Sequence, residues 1–340
     1  MKTIMKRLFL FLIVCSFFHL TSCSQRDGIT VMFYNTENLF DPEDDPLKED
    51  DDFTPGGDYR WTQKRYWKKL DALSKVIVSA DDDMAPALVG LCEVENETVM
   101  NDLTARSALR EAGYRFVMTD SPDRRGIDVA LLYRRSFFKL IAEESLRVNL
   151  RPYGGGATRD ILHVTGQLEN ADTLDIYVCH WPSRNGGVEE TEPRRICAAQ
   201  VVRKSVDSVF RARKKPYVII MGDLNDGPDA TALRDGLKAH PYSKGARLED
   251  RELVTVMDPL DDGSYKYQGQ WDKYDQFVVS ASLLNGKGCT ELLGAEIMRL
   301  PFILADDDSY GGDKPLRTYN GRRYQGGYSD HLPVKLRIGF

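Results

Sequence analysis

The chain has 340 residues, of which 42% are hydrophobic and 29% are charged, and its formal net charge is −6. This composition is typical of a globular protein. The acidic balance excludes a strongly basic nucleic-acid-binding surface over the whole molecule, although it leaves room for a local basic patch.

Residues 1–22 have the features of an export signal. Lys2, Lys6 and Arg7 precede the apolar stretch Leu8–Leu20, whose 13 residues are too few to span a bilayer comfortably. The next segment, ending in Cys23, resembles the bacterial lipobox, and this resemblance implies a lipid anchor on Cys23; an ordinary secretory signal is the alternative.

Export predicts a location in the cell envelope, on the periplasmic side or at the outer membrane, with no transmembrane helix in the mature chain. Cleavage would leave 43 basic and 52 acidic residues, a net charge near −9. Residues 23–28 would form a short tether. No long linker or composition shift follows, so we expect one domain over residues 29–340.

Nine short apolar runs, bounded by Gly, Pro, Asp or Asn, predict β-strands. In chain order they are Ile29–Tyr34, Ala87–Leu91, Tyr114–Met118, Ile127–Tyr133, Ile161–Leu168, Thr173–Cys179, Tyr217–Met221, Tyr274–Ser280 and Val334–Ile338.

Three apolar patterns of helical period interrupt these strands. The first runs from Tyr66 to Ile77 with Thr62 as its N-cap, the second from Val99 to Ala112 before Gly113, and the third from Ile196 to Phe210. Many strands with few helices predict an α/β fold in which two packed, mainly antiparallel β-sheets are flanked by helices.

Polar side chains follow several of the predicted strands. The strongest motif is Tyr217–Asp226, in which a buried strand runs into Gly222 and then presents Asp223 and Asn225 two residues apart. Both side chains lie on one side of an extended chain, where they could hold a water molecule or a phosphate oxygen. A polar exit from a strand into a turn is the alternative interpretation.

Other strand ends repeat this arrangement. Asn35 and Glu93 offer oxygen ligands suited to Mg²⁺ or Mn²⁺ rather than zinc, and Glu93 is the first choice as a direct ligand. His180 ends another apolar run, and Asp330-His331 precedes the last one. A single histidine is more often structural than catalytic, but two of them stand at strand ends here.

Taken in order, Asn35, Glu93, His180, Asp223-Leu224-Asn225, Asp275 and Ser329-Asp330-His331 resemble the endonuclease/exonuclease/phosphatase superfamily. Its members include deoxyribonucleases, abasic-site endonucleases, neutral sphingomyelinases and inositol-polyphosphate 5-phosphatases. The resemblance covers about residues 29–340. It implies a four-layer α/β sandwich with the active site at one end of the paired sheets.

The resemblance also implies roles for these residues. Asn35 and Glu93 match metal-site residues, and Asp330 matches an additional acid that is linked to the metal or adjacent to the histidine. Asp223 and Asn225 match residues that orient the attacking water and the phosphate. His331 matches the phosphate-facing histidine, Asp275 its supporting carboxylate, and His180 a histidine found in nucleases and sphingomyelinases.

Three further assignments are weaker. Arg159 resembles a phosphate-contacting arginine, although it is more simply an ordinary strand-edge residue. Arg184 could clamp a phosphate or be exposed to solvent, and Asp128 could support His180 or begin a strand. The catalytic tyrosine of abasic-site endonucleases has no secure match, which argues against a repair role.

The sequence therefore predicts an exported Mg²⁺-dependent phosphodiesterase that uses activated water; Mn²⁺ and Ca²⁺ stay open. A nuclease, in particular an endonuclease acting on DNA or RNA, is the first hypothesis, motivated by export, His180 and the basic-aromatic segment Trp61–Lys69. A sphingomyelinase-like phospholipase C, with Phe302–Leu304 as its membrane contact, is the alternative, followed by an inositol phosphatase or a binding module without catalysis. Expected partners are the nucleic acid and, through the anchor, the membrane; a monomer is favoured.

Overall fold

The structure is a computed structural model that describes residues 28–81, 83–243, 245–257, 260, 262–285 and 290–340. The predicted signal, Cys23 and the tether up to residue 27 lie outside these residues. Among the described helices, none is both long enough and apolar enough to cross a membrane.

Nineteen strands form within the described residues. They are β1 Ile29–Leu39, β2 Leu88–Val94, β3 Tyr114–Met118, β4 Asp128–Arg134, β5 Phe138–Leu146, β6 Ile161–Leu168, β7 Thr173–His180, β8 Tyr217–Asp223, β9 Ala239–Pro241, β10 Leu253–Thr255, β11 Tyr265–Tyr267, β12 Gln270–Asp272, β13 Asp275–Ser280, β14 Glu291–Ile297, β15 Leu304–Asp306, β16 Asp313–Pro315, β17 Tyr319–Asn320, β18 Arg323–Tyr324 and β19 Val334–Gly339. Each of the nine predicted strands corresponds to one of them.

The α-helices are α1 Gln63–Val78, α2 Glu97–Asn101 and α3 Val188–Ala212. The predicted N-cap of α1 is confirmed, since Thr62 Oγ1 accepts a hydrogen bond from the backbone N–H of Arg65. Helix α3 begins eight residues before its predicted apolar stripe, because its first turns are polar and carry Glu189 and Glu190.

The predicted helix from Val99 to Ala112 is wrong as a continuous element. Helix α2 passes into a wide turn of π type at Asp102–Arg106, and a separate 3-10 turn covers Ala108–Ala112. Ser107 separates the two turns with an extended backbone, and its hydroxyl caps the second turn at Leu109. Gly113 ends the segment in the left-handed conformation (φ 69°), as a glycine C-cap does.

Two mixed sheets form the centre of the molecule. The first has the strand order β14-β19-β1-β2-β4-β3, and the second has the order β5-β6-β7-β8-β13-β10-β9. Neighbouring strands are antiparallel except in the pairs β1/β2, β7/β8 and β9/β10. The predicted mainly antiparallel pairing is therefore confirmed.

Apolar side chains lie between the two sheets and on both outer faces. Phe33 of the first sheet and Ile219 and Phe277 of the second belong to one buried cluster between the sheets. Leu70 of α1 belongs to a cluster on the outer face of the first sheet, and Val202 of α3 to one on the outer face of the second. The predicted four-layer α/β sandwich is the observed architecture.

The parallel pairs bring several predicted site residues to one end of the sandwich. Strands β7 and β8 end side by side, with His180 opposite Asp223. Strand β13 begins at the same place, with Asp275 opposite Asp223 on its other side. Strands β1 and β2 also end in parallel, beyond Asn35 and Cys92.

Candidate active site

The backbone is irregular where β1, β2 and β8 end. Glu37, Asn38, Glu93 and Asn225 all have positive φ angles, between 51° and 59°. The pairing of β1 with β2 shifts register between Asn35 and Leu39, and that of β2 with β4 shifts between Cys92 and Val94. Left-handed residues other than glycine concentrate at functional sites, where the surrounding fold holds them.

Glu93 is partly open to solvent, with 14% of its side chain exposed, against 21% for Asp330. Its Oε2 accepts a hydrogen bond of 2.8 Å from the backbone N–H of Asn38. Its Oε1 lies 3.8 Å from His180 Nε2. The left-handed backbone of Asn38 thus aims an N–H at Glu93 and fixes one of the two carboxylate oxygens.

Asp223 lies at the centre of the site. Its Oδ1 accepts a 2.9 Å hydrogen bond from the backbone N–H of Asn225, and its Oδ2 accepts one of 3.1 Å from Asn35 Nδ2. Burial raises the pKa of Asp223 to about 6, with the His331 charge lowering it and Asp275 raising it further. The carboxyl group therefore exchanges a proton close to neutral pH.

His331 and Asp275 form a buried ion pair. The imidazole Nδ1 lies 2.7 Å from Asp275 Oδ2, and the opposite ring nitrogen, Nε2, lies 3.7 Å from Asp223 Oδ2. Burial opposes a charge on this ring, but the carboxylates of Asp275 and Asp223 hold the pKa of His331 well above its ordinary value. His331 is therefore an imidazolium, and Nδ1 donates to Asp275.

His180 is equally buried but neutral. Its Nε2 lies 3.8 Å from both Asp223 Oδ2 and Glu93 Oε1, beyond hydrogen-bond distance. Its Nδ1 has no hydrogen-bond partner among the described residues. Burial, with the nearby Arg159 charge, holds the pKa of His180 well below its ordinary value.

The two asparagines are held by backbone groups as well as by Asp223. Asn35 Oδ1 accepts a 2.9 Å hydrogen bond from the backbone N–H of Glu37. Asn225 Nδ2 donates to the backbone oxygen of Trp181 at 3.0 Å. Both amide groups are therefore fixed in orientation around the central carboxylate.

Asp330 lies at the edge of this group rather than at its centre. Its Oδ2 accepts a 2.8 Å hydrogen bond from Arg317, which also lies 3.3 Å from Glu37. Glu37 in turn accepts from the backbone N–H of Thr318 and lies 3.8 Å from Lys69 Nζ. Burial lowers the pKa of Lys69 to about 8, while the Glu37 carboxylate opposes that shift.

Sequence reasoning missed Glu37, Lys69 and Arg317. Lys69 carried a usable signal, because it stands beside Leu70 on the apolar face of α1 and is 2% exposed. A lysine in such a position needs a buried partner. Arg317 lies in a segment without apolar periodicity, and nothing in the sequence distinguishes it.

The three weaker candidates for the site, two arginines and one aspartate, form hydrogen bonds within the protein. Arg159 is buried and donates to Asp123 and to the backbone oxygen of Trp181. Arg184 donates to the backbone oxygen of Asn225 and to Asp226. Asp128 accepts hydrogen bonds from Thr119 and Ser121, and no bond links it to His180.

The donor set fits a divalent cation. Asp223, Asp275 and His331 each offer an atom within 4.8 Å of the others. His331 Nδ1 and Asp275 Oδ2 already bond to each other at 2.7 Å, so these two atoms are poorly available to an ion. Glu93 is more accessible, and Asp275 Oδ1 is buried without a partner. Carboxylate oxygens favour Mg²⁺ or Mn²⁺ over softer metals.

A model of the Endonuclease/Exonuclease/phosphatase family matches residues 30–339. The chain belongs to this family. Its members are phosphoester hydrolases that depend on divalent metals. The predicted family and the predicted hydrolase class are thereby confirmed, and no curated protein matches the chain.

Solved structures show the same fold at low sequence identity. A mannosyl-6-phosphatase of Bacteroides thetaiotaomicron is 14% identical with a TM-score of 0.59, covering 92% of this chain and 100% of its own. A Danio rerio TDP2 humanized by 14 mutations is 13% identical, with a TM-score of 0.57 and coverage of 92% and 100%. The human Nocturnin catalytic domain is 15% identical, with a TM-score of 0.55 and coverage of 93% and 94%.

Proposed function

We propose that this protein is a metal-dependent phosphodiesterase and that it acts as a nuclease on DNA or RNA, using an activated water. The observation that carries the proposal is the charged His331, held by Asp275 at 2.7 Å and directed at Asp223, at the sheet end where Glu93 also lies. This arrangement provides a cation for the phosphate, a proton acceptor and an accessible carboxylate.

Each group has a role in the proposed reaction. The His331 imidazolium stabilises the negative charge that develops on the phosphate oxygens, and Asp275 keeps the ring charged and oriented. Asp223, whose pKa is about 6, accepts the proton of the attacking water. Asn35 and Asn225 fix the Asp223 carboxylate, so its lone pairs keep one direction.

Glu93 is the proposed direct ligand of the divalent ion, with Asn35 and Asp330 as further oxygen donors at the same edge. The ion, when bound, neutralises charge on the phosphate. His180 faces both Glu93 and Asp223 as a neutral imidazole and offers Nε2 to the substrate or to a water. Arg159 and Arg184 border this region, but each pairs with a carboxylate, Asp123 or Asp226, so their charges contribute less to phosphate binding than that of His331.

The sphingomyelinase alternative, which the predicted lipid anchor suggested, loses its candidate membrane contact. The segment Phe302–Leu304 was a candidate for an exposed apolar membrane contact. In the structure Ile303 is buried, and Phe302 packs against Tyr328 with ring centroids 5.5 Å apart. Only Ile303 is buried, while Phe302 and Leu304 are partly covered, so the segment forms no fully exposed apolar contact and the nuclease is the better-supported proposal.

The test is a panel of phosphoesters incubated with purified protein and Mg²⁺: plasmid, single-stranded oligonucleotide, RNA, sphingomyelin vesicles and a sugar phosphomonoester. We expect cleavage of nucleic acid that EDTA abolishes and that H331A lacks. H240A, which changes an exposed histidine outside the site, is the matched control. Hydrolysis of the monoester or the lipid with intact nucleic acid would reject the nuclease.

Export and lipid attachment are also part of the proposal. Labelling cells with a tagged fatty acid tests the anchor at Cys23. We expect the label on the wild type and its loss with C23S, while activity of the purified domain is unchanged. An unlabelled wild type would leave the ordinary secretory signal as the better description.

A further inference from the structure

A group of cations lies close to the active site on a chain whose net charge is −6. We call it the basic patch and define it as Arg60, Arg65, Lys68, Arg322 and Arg323. The Arg65 guanidinium lies 4.4 Å from the centroid of the Tyr324 ring, and Lys68 Nζ lies 5.7 Å from the same centroid. Arg60 before α1, the first turns of α1 and the β17–β18 hairpin thus supply the charges together.

The two parts of the basic patch are fixed to each other. Tyr319, at the start of the hairpin, donates from its hydroxyl to the backbone oxygen of Tyr59 at 2.9 Å. Arg65 donates to the backbone oxygens of Tyr59 and Arg60, at 2.7 Å and 2.9 Å. Arg322 pairs with Asp58, which offsets one of the charges. These contacts hold Arg65 and Arg322 at defined positions.

The patch lines a cavity that shares the wall residue Tyr59 with a second cavity beside the candidate site. Arg60, Arg65 and Arg322 line a polar cavity of about 490 Å³, and Tyr59 forms part of its wall. Tyr59 also lines a smaller cavity of about 170 Å³, together with Asn38 and Arg317. Asn38 is the residue whose N–H binds Glu93, so the second cavity adjoins the candidate metal ligand.

We propose that the basic patch binds phosphates of a nucleic-acid strand next to the phosphate that is cleaved. This inference rests on the proposed function and extends it to the substrate's length. One phosphate at the active site needs no further five cations, whereas a strand carries a charge at every nucleotide. Arginine forks bind phosphate oxygens in pairs, and three of the cations line one cavity. Binding through the patch therefore depends on the length of the strand and not on its base sequence.

The test compares a triple variant, R60Q/R322Q/R323Q, with a matched control, R110Q/R135Q/R234Q, which removes three exposed arginines outside the patch. Substrates are a 12-nucleotide single strand and a dinucleotide. Each is assayed with Mg²⁺ over a range of salt, and binding of the 12-mer is followed separately by fluorescence anisotropy in EDTA.

We expect the patch variant to lose about tenfold in kcat/KM and in affinity for the 12-mer, with the dinucleotide unchanged. In a plot of the logarithm of the 12-mer association constant against the logarithm of salt concentration, the slope should become less steep by about 2. Each of the three lost contacts to a single strand contributes about 0.7 to this slope. The control variant should match the wild type on both substrates.

Three results would overturn the inference. Equal activity of the patch variant and the wild type on the 12-mer removes the patch from binding, and an equal loss on both substrates assigns it a structural role. Inhibition by inositol hexakisphosphate that the patch variant escapes, without a change in 12-mer binding, reassigns the patch to a small polyanion. A wild type that binds the 12-mer through the patch but cleaves no phosphodiester rejects the proposed function while supporting the patch.

Discussion

Two histidines of one site differ in charge: His331 is a positively charged imidazolium, and His180 is a neutral imidazole. Their exposed fractions are nearly the same, 6% and 5%. His331 bonds to Asp275 at 2.7 Å, and its pKa is raised despite burial. His180 lies 3.8 Å from its nearest carboxylates and close to Arg159, and its pKa is lowered. Burial alone therefore does not determine the protonation of a histidine; a directly bonded carboxylate does.

The difference divides the site into two halves. The His331 half holds a fixed positive charge for the phosphate, while the His180 half keeps a neutral ring beside Glu93. Asp223 lies between them, 3.7 Å from one imidazole and 3.8 Å from the other. Changing one half at a time separates the two roles.

The largest effect is expected from removing the charged half. H331A should lower kcat/KM by about 10³-fold, because a positioned charge that stabilises the transition state contributes about that much. D275N should approach the same loss, since the ring then loses its charge although it stays in place. Kinetics on an oligonucleotide check both, with circular dichroism as the control for folding. A D275N enzyme near wild-type activity would contradict the role given to the ion pair.

A change beside the neutral half should act through the metal. E93Q keeps the shape of the side chain but removes the charge of the proposed ligand. We expect the Mg²⁺ concentration for half-maximal activity to rise by about 10- to 100-fold, with part of the activity recovered at high Mg²⁺. Titration of Mg²⁺ against initial rate measures this. An unchanged midpoint would remove Glu93 from the metal site.

Removal of the neutral ring itself should have a smaller effect. H180Q retains a hydrogen-bonding side chain, and we expect a loss of about tenfold in kcat/KM, below that of H331A because no charge is lost. The same assay provides the comparison. If H180Q were as damaging as H331A, the two halves would be equivalent in the reaction.

The smallest expected effect is on stability, and it has opposite signs for the two rings. The folded pKa of His331 lies well above 6.5, so its stabilisation is complete below pH 6.5 and is lost as the pH rises through the folded value. The folded pKa of His180 lies well below 6.5, so the wild type loses stability as the pH falls below 6.5.

Urea unfolding in EDTA between pH 5 and about pH 9 tests both signs. The free energy of unfolding of H331Q should be lower than that of the wild type, and this difference should shrink as the pH rises above 6.5, because the pKa of His331 is raised in the folded state. The free energy of unfolding of H180Q should rise relative to that of the wild type as the pH falls below 6.5. Each slope is at most about 1.4 kcal/mol per pH unit. Parallel curves for all three proteins would show that the rings do not differ in protonation.

The sequence predicted nine of the strands in the two sheets and the polar residues at several of their ends, but not the short strands β9 and β10. Asp223 ends a strand whose other residues are apolar or glycine, and Asn225 follows two residues later, so the sequence alone marks this boundary. Strands β5 and β14 were missed, because exposed residues such as Glu143 and Glu291 dominate them and each lies at the edge of its sheet.

The contacts between segments distant in the chain were beyond sequence reasoning. Glu37, Lys69 and Arg317 meet only because β1, α1 and the segment before β17 converge in space, and the bond between Glu37 and Arg317 spans 280 residues. The break at Ser107, between the π turn that continues α2 and the separate 3-10 turn, was also missed. Apolar spacing alone continues through Ser107, whereas its hydroxyl caps a new turn.

The pairing of the first described strand with the last has a consequence for biosynthesis. Ile29 of β1 lies opposite Ile338 of β19, and Ser329 donates to the backbone oxygen of Asn35 across 294 residues. Such non-local contacts form late and slowly in folding. A nascent chain emerging from the ribosome therefore carries every other residue of the candidate site before His331 appears, so the site stays incomplete until the segment with His331 has been synthesised and β19 pairs with β1.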